Sequence, residues 1–263
     1  MTDDAVATPG VGSERLLQVV QDEGRAVLQL AAQTDLVRAV PGCPGWTIAD
    51  LVAHLGSVYR WVGLIVGERR NERPSPQERA ALDGVERRDQ ALLTALMMAH
   101  TQVVEVLRSA SADLDCWSMW PAANSRHYWI RRQAHETLVH RIDVQNAASG
   151  EIAACADVDP TIAADGVDEM VIGFANRYRD RLRAPSPCTL SLHATDVDRR
   201  WWVRLGPAEP EFGRGPVDGP APTEIRGRSG ELLLLLWNRR TWDGMKMTGD
   251  GDALQVWRYA ARL

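Results

Sequence analysis

The hydrophobic period of this chain changes once along its length, and that change restricts the fold more than any compositional figure does. From Ser13 to about Ala148 apolar residues recur at helical spacing, whereas beyond residue 160 stretches appear that alternate every second residue. The first helix, from Ser13 to about Val40, carries Leu16, Leu17, Val20, Val27, Leu28, Leu30 and Ala31 as an apolar stripe. PGCPGW at 41–46 ends it, because proline and glycine break the backbone pattern. Thr47 then caps a second helix, with Asp50 in capping-box position and Leu51, Leu55, Val58 and Val62 on one face. After the polar loop around NERPSPQER, a third helix runs from about Gln77 or Arg88 to Ser109. A fourth spans roughly Arg126 to Ala148, after the loop CWSMWPAANS. Four helices joined by loops predict an antiparallel bundle over residues 1–150.

SGEIAACADVDP at 149–160 reads as a linker. Beyond it one more helix is expected near 161–183, and then TLSLHATD and RWWVRLG as paired strands. A Gly/Pro-rich loop at 206–222 leads to a short strand in TEIRG, a helix in GELLLLLWNRR opened by Ser229, and a last helix over 250–262. The fold class expected is therefore α followed by α+β: a four-helix bundle, then a separate small α+β domain over 157–263.

Composition narrows the function classes. The 263 residues carry a net charge of -5, with no basic run, which argues against a nucleic-acid surface. The longest apolar run, LLLLLW at 232–237, is too short to span a bilayer, so no membrane partner is expected. The acidic N-terminus shows no secretory pattern, and a cytoplasmic location is the expectation. Cys43, Cys116, Cys155 and Cys188 are scattered without a CxxC pair, so a zinc ribbon is excluded on spacing and the thiols read as reduced and structural. Lys246 is the single lysine among 30 basic residues, a coding bias that suggests a high-GC genome.

Six histidines are few, and they throw QAHETLVHRID into relief. Glu136 and His140 lie four apart on one helix, so they project from one face a turn apart. Glu136, His140 and Asp143 fall within about 60° of one another, and Trp129, Arg132 and Gln133 share that side. Ile130, Ala134, Leu138 and Ile142 lie opposite. A polar face is ordinarily a solvated one, but Trp129 on that side hints at a cover, such as a second domain. His54 lies at the edge of the second helix's apolar stripe, where a packing histidine and a metal ligand are both admissible. Two ligands at i and i+4, with a third from a distant helix, are how a bundle builds a metal site with an open position.

PGCPGWTIADLVAHLGSVYRW followed by YWIRRQAHETLVHRIDVQNA resembles the N-terminal domain of the mycothiol-dependent maleylpyruvate isomerase family, a DinB-like bundle. RGRSGELLLLLWNRR and MKMTGDGDALQVW are similar to that family's C-terminal domain, a small α+β unit comparable to sterol-carrier-like folds. The likeness covers roughly residues 13–262. It implies a zinc ion held by His54, Glu136 and His140, with Asp143 either orienting His140 or an ordinary surface carboxylate. It also implies mycothiol as thiol cosubstrate, and a catalytic role for Arg239 in holding an anionic small-molecule substrate. Asn238 departs from the glycine usual in the family's segment.

Zinc with three protein ligands keeps an open vertex, and a thiol entering it loses its proton readily. The resemblance thus implies thiolate addition to an unsaturated carbonyl compound, with cis–trans isomerisation or thiol transfer as the outcome. Trp117, Trp120, Trp129 and the loop 206–222 either line the substrate pocket or pack the domains together. Three other readings stay open: a related zinc enzyme without mycothiol, a zinc hydrolase activating water, and a non-catalytic ligand-binding or regulatory protein on the same scaffold.

Overall fold

The computed structural model describes residues 10–83, 89–150, 158–218 and 223–260. Four long helices make the first layer: α1 (Ser13–Ala32), α2 (Ile48–Gly67), α4 (Asp89–Ser109) and α5 (Ser125–Ser149), with the short α3 (Pro76–Asp83) beside α2. They close a ring in which α1 packs on α5 and α4, and α2 packs on the same two helices. Leu16, Val20 and Val27 of α1 meet Leu51, Leu55 and Val62 of α2, Leu96, Val103 and Leu107 of α4, and Ile130, Leu138 and Ile142 of α5 in one buried core. The expected third helix is described over Pro76–Asp83 and Asp89–Ser109, with residues 84–88 outside the described residues.

The helix ends follow their sequence signals. Thr47 and Asp50 form a reciprocal capping box, in which the Thr47 hydroxyl accepts from the Asp50 N–H and the Asp50 carboxylate accepts from the Thr47 N–H. Asn124 caps α5, and Gly150 ends it at φ 77°, a left-handed conformation glycine adopts without a Cβ clash.

The second half begins with α6 (Pro160–Asp168), continues through a π-helical turn (Glu169–Phe174), and ends its helical run in α7 (Ala175–Arg177). A five-stranded sheet follows in the order β3-β2-β1-β4-β5, built from β1 (Cys188–Ala194), β2 (Arg199–Leu205), β3 (Glu211–Arg214), β4 (Thr223–Gly227) and β5 (Lys246–Thr248). β1 runs antiparallel to β2 and parallel to β4. α8 (Ser229–Leu236) and α9 (Asp252–Ala260) pack on the sheet, and α6 packs on α8. The paired strands, TEIRG and both late helices match the expectation. β3 and β5 do not, because one falls in the segment read as loop and the other in a glycine-flanked stretch of three residues. Most of the expected linker, residues 151–157 with Cys155, lies outside the described residues. Among the described residues α2 is the one helix long and apolar enough to cross a membrane, and half of that stretch is packed inside the protein.

The two halves meet along α5, which is buried almost all round. Its polar side is therefore no solvated face. Arg131 donates to Asp165 at 2.7 Å and Asp168 at 3.2 Å, Arg132 pairs with Glu169, and His135 Nε2 lies 2.8 Å from Asp165, all acids of the α6 region. Trp129 is covered too, but by the bundle side: its ring stands edge-on to Trp61 at 5.3 Å, and its indole N–H donates to the Trp117 carbonyl at 2.9 Å.

Candidate metal centre

The capping box starts α2 so that His54 faces α5, where Glu136 and His140 follow one another by one turn. The three side chains converge. His54 Nε2 is 3.0 Å and His140 Nε2 is 3.4 Å from the same oxygen, Oε1 of Glu136. All three candidate ligand atoms lie within 4.8 Å of one another.

A tetrahedral zinc ion with ligand bonds near 2.1 Å separates its ligand atoms by about 3.4 Å, so the spacing fits such an ion. The groups behind the ligands fit as well. His140 Nδ1 is 2.9 Å from Asp143 Oδ2, which leaves Nε2 to face the site. A carboxylate behind a ligating imidazole is the common arrangement for fixing tautomer and ring orientation. Asp143 is fully buried, so it is no surface carboxylate. Arg132 holds the other Glu136 oxygen, leaving Oε1 toward the histidines.

These contacts set the protonation of the apo centre. Burial opposes charge on His140, but hydrogen bonds to Asp143 and Glu136 override it and push its pKa up to about 9. Burial works against ionised Glu136 as well, yet Arg132 and the two histidines hold its carboxyl well below the usual range. Asp143 is depressed in the same way, with His140 and Arg239 outweighing its burial.

Arg239 reaches this centre from the far end of α8, and its side chain is 7% exposed. Its Nε donates to both Asp143 oxygens at 3.1 Å, its Nη1 to the Trp237 carbonyl at 2.9 Å, and its Nη2 faces Cys43 Sγ at 3.2 Å. In this arrangement the guanidinium is committed to protein groups. Asn238, the departure noted beforehand, has φ 58°, a left-handed backbone that asparagine tolerates better than most residues and glycine adopts freely.

Cys43 is the neighbour that sequence reasoning set aside as merely structural. Its thiol donates to Asp143 Oδ2 at 3.5 Å, and Cys43, His140 and Asp143 form a second close group of potential ligands. Burial first, and then the Asp143 charge, push that thiol up to about 12, so it stays protonated at neutral pH. The signal in the sequence was PGCPGW itself. A Cβ on Gly42 would come within 2.5 Å of Asp143 Oδ1 and 2.9 Å of Arg239 Cδ, so only glycine lets this loop close on the centre.

The centre opens into a cavity of about 1550 Å³ between the halves. Trp46 stands 5.1 Å from the His54 ring, and Trp237 stands 6.4 Å from the His140 ring. Among the described residues, the buried polar atoms of cavity-lining side chains without a hydrogen-bond partner include Trp61 Nε1, Gln133 Oε1 and Trp237 Nε1. Trp117 lines the cavity, whereas Trp120 packs on Tyr128 and Phe174 and does not. Neither Trp129 nor the described part of the 206–222 loop reaches it.

No curated protein matches the sequence. By fold, the chain is similar to a crystal structure of the mycothiol-dependent maleylpyruvate isomerase, at 14% identity and TM-score 0.66, with 90% of this chain and 93% of that one covered. It is equally similar to a variant of that enzyme with one histidine changed to alanine, at 14% identity, TM-score 0.67 and the same coverage. Residues 17–145 match the family described as Mycothiol maleylpyruvate isomerase N-terminal domain, and residues 161–255 match its C-terminal domain. Two matches that cover most of the chain, in the family's own order, establish that it belongs to the mycothiol-dependent maleylpyruvate isomerase family.

Proposed function

We propose that this chain is a zinc-dependent, mycothiol-using enzyme acting on an electrophilic, unsaturated carbonyl compound, by cis–trans isomerisation or thiol transfer. One observation carries the reading: two imidazole Nε2 atoms, 3.0 and 3.4 Å from a single Glu136 oxygen, on the wall of a cavity large enough for two small molecules. Family membership supports the thiol, and the unpartnered Gln133 and Trp237 atoms suit a cosubstrate rich in hydroxyl and amide groups.

When bound, the divalent metal supplies a positive charge that lowers the pKa of an entering thiol, and the thiol supplies the nucleophilic sulfur. The chain's residues do the rest. His54, Glu136 and His140 hold the metal. Asp143 accepts from His140 Nδ1 and keeps Nε2 directed at the site, and Arg132 keeps Glu136 ionised. Trp46 and Trp237 wall the centre with apolar surface, which strengthens electrostatic effects inside it. Arg239 acts here by gripping Asp143, a positioning role; it contacts an anionic substrate only by releasing one of its present partners.

Elemental analysis of protein prepared without chelators, paired with a mycothiol titration, tests the reading. About one zinc per chain is expected, lost in His54→Ala and His140→Ala, with Asp143→Ala weakening metal affinity about 10–100-fold. Metal-free wild-type protein would remove the enzyme reading and leave the non-catalytic one. Metal without affinity for mycothiol would leave a related zinc enzyme.

A further inference from the structure

One face of α2 runs along the cavity. His54, Ser57, Val58 and Trp61, at i, i+3, i+4 and i+7, all line it. At 1.5 Å per residue, Trp61 lies about 10 Å beyond His54. At that far end the side chains change character. The Arg79 guanidinium stands 5.8 Å from the Trp61 ring centroid, the Arg177 guanidinium stands 6.0 Å from that of Tyr178, and Arg73 joins them on the cavity wall. Among the described residues none of the three has a carboxylate partner; Arg177 Nη1 faces only the Met119 sulfur, a weak acceptor, at 2.7 Å. Glu78, the acid next in sequence to Arg79, is taken by Arg70. Partial burial, and then the charges of Arg79 and Arg177, make the proton on Arg73 less tightly held than usual. Among the described residues like charges gather here without a paired acid, in a chain whose net charge is -5.

A second observation is independent of these charges. The Trp61 indole N–H is buried and has no acceptor among the described residues. A buried donor left in that state is destabilising unless something else accepts from it. An oxyanion would satisfy the guanidinium groups and the indole together.

We propose that Arg73, Arg79 and Arg177, with the Trp61 N–H, form an acid-binding rim that selects an elongated substrate carrying a carboxylate or phosphate about 10 Å from its reacting atoms. The middle of such a molecule packs on Trp61 and Trp117, whose rings lie 5.8 Å apart. That the reacting atoms sit at His54, Glu136 and His140 rests on the function proposed above; the rim itself does not.

The test is calorimetric titration of full-length, zinc-supplemented protein with three probes of one shape: 4-phenylbutyrate, 4-phenylbutyl phosphate and 4-phenylbutan-1-ol. At least one acid should bind about tenfold or more tightly than the alcohol, as one charge-assisted hydrogen bond predicts, and the preference should shrink with added salt. Which acid is preferred separates carboxylate from phosphate recognition. Arg73→Gln/Arg79→Gln should erase the preference while keeping the wild-type melting temperature and zinc content. Equal binding of acids and alcohol, or no measurable binding of any, overturns the rim, as does a preference that survives the double substitution. Zinc content is read separately: an acid preference in metal-free protein keeps the rim and sinks the metal centre, and zinc without a preference does the reverse.

Discussion

The two ends of the interdomain cavity are built on opposite electrostatic plans. At the inner end every charge has a partner: Glu136 lies between Arg132 and two histidines, and Asp143 between His140 and Arg239. At the outer end Arg73, Arg79 and Arg177 line the wall with no carboxylate partner among the described residues. The difference is one of solvent. Buried charges must be paired because the interior cannot screen them, whereas water at a mouth tolerates unpaired guanidinium groups at little cost. The inner end is thus preassembled, and the outer end is left for something to arrive.

Breaking the inner plan should cost most. Arg132 is 3% exposed and holds both Glu136 and Glu169, so Arg132→Met strands two buried carboxylates. We expect a loss of about 3–5 kcal/mol in chemical unfolding. A loss under about 1 kcal/mol would show that this end is wetter than its packing implies.

A smaller effect is expected from acid. Burial alone would raise Asp165, but His135 and Arg131 hold its carboxyl well below the usual range. A depressed carboxylate stabilises the fold fully above its unfolded value near 3.9, and that share is lost as pH falls through the folded value. Urea unfolding should therefore show stability dropping below about pH 4, and Asp165→Asn should lose part of that acid dependence while being less stable at neutral pH. An unchanged pH slope in the variant would place the acid-sensitive groups elsewhere.

The smallest change belongs to the rim. Arg79→Gln should alter unfolding free energy by less than about 0.5 kcal/mol, because Arg79 is exposed and has no ion pair among the described residues. A larger loss would mean that the outer arginines serve the fold and would erase the contrast between the two ends.

How much of this was legible in the sequence follows from the range of each interaction. Glu136 and His140 are neighbours on one helix, so their spacing announced them, and the capping box that orients α2 was equally local. His54 stood out at the edge of the second helix's apolar stripe, but its assignment as a ligand, and Arg239 altogether, came from the resemblance. The cover over α5 was hinted at by Trp129 for the wrong reason: that ring packs on Trp61 and Trp117, while the acids that do cover the polar face sit some thirty or more residues away on α6 and the turn after it. Cys43 is free and buried, as expected, but its place beside the centre was not legible, because scattered cysteines carry no spacing signal and its contacts to Asp143 and Arg239 span 100 and 196 residues. The rim was invisible for the same reason, as Arg73 and Arg177 belong to different halves of the chain.

The clasp between Arg239 and Asp143 ties the second half of the chain to the proposed metal centre. Any swing that widens the cleft by parting the two halves must pull the guanidinium off the carboxylate, and the imidazole behind it then loses its brace. With a metal held as proposed, parting the halves and slackening its ligands would be a single event, which spectroscopy on a substituted cobalt ion would register from inside.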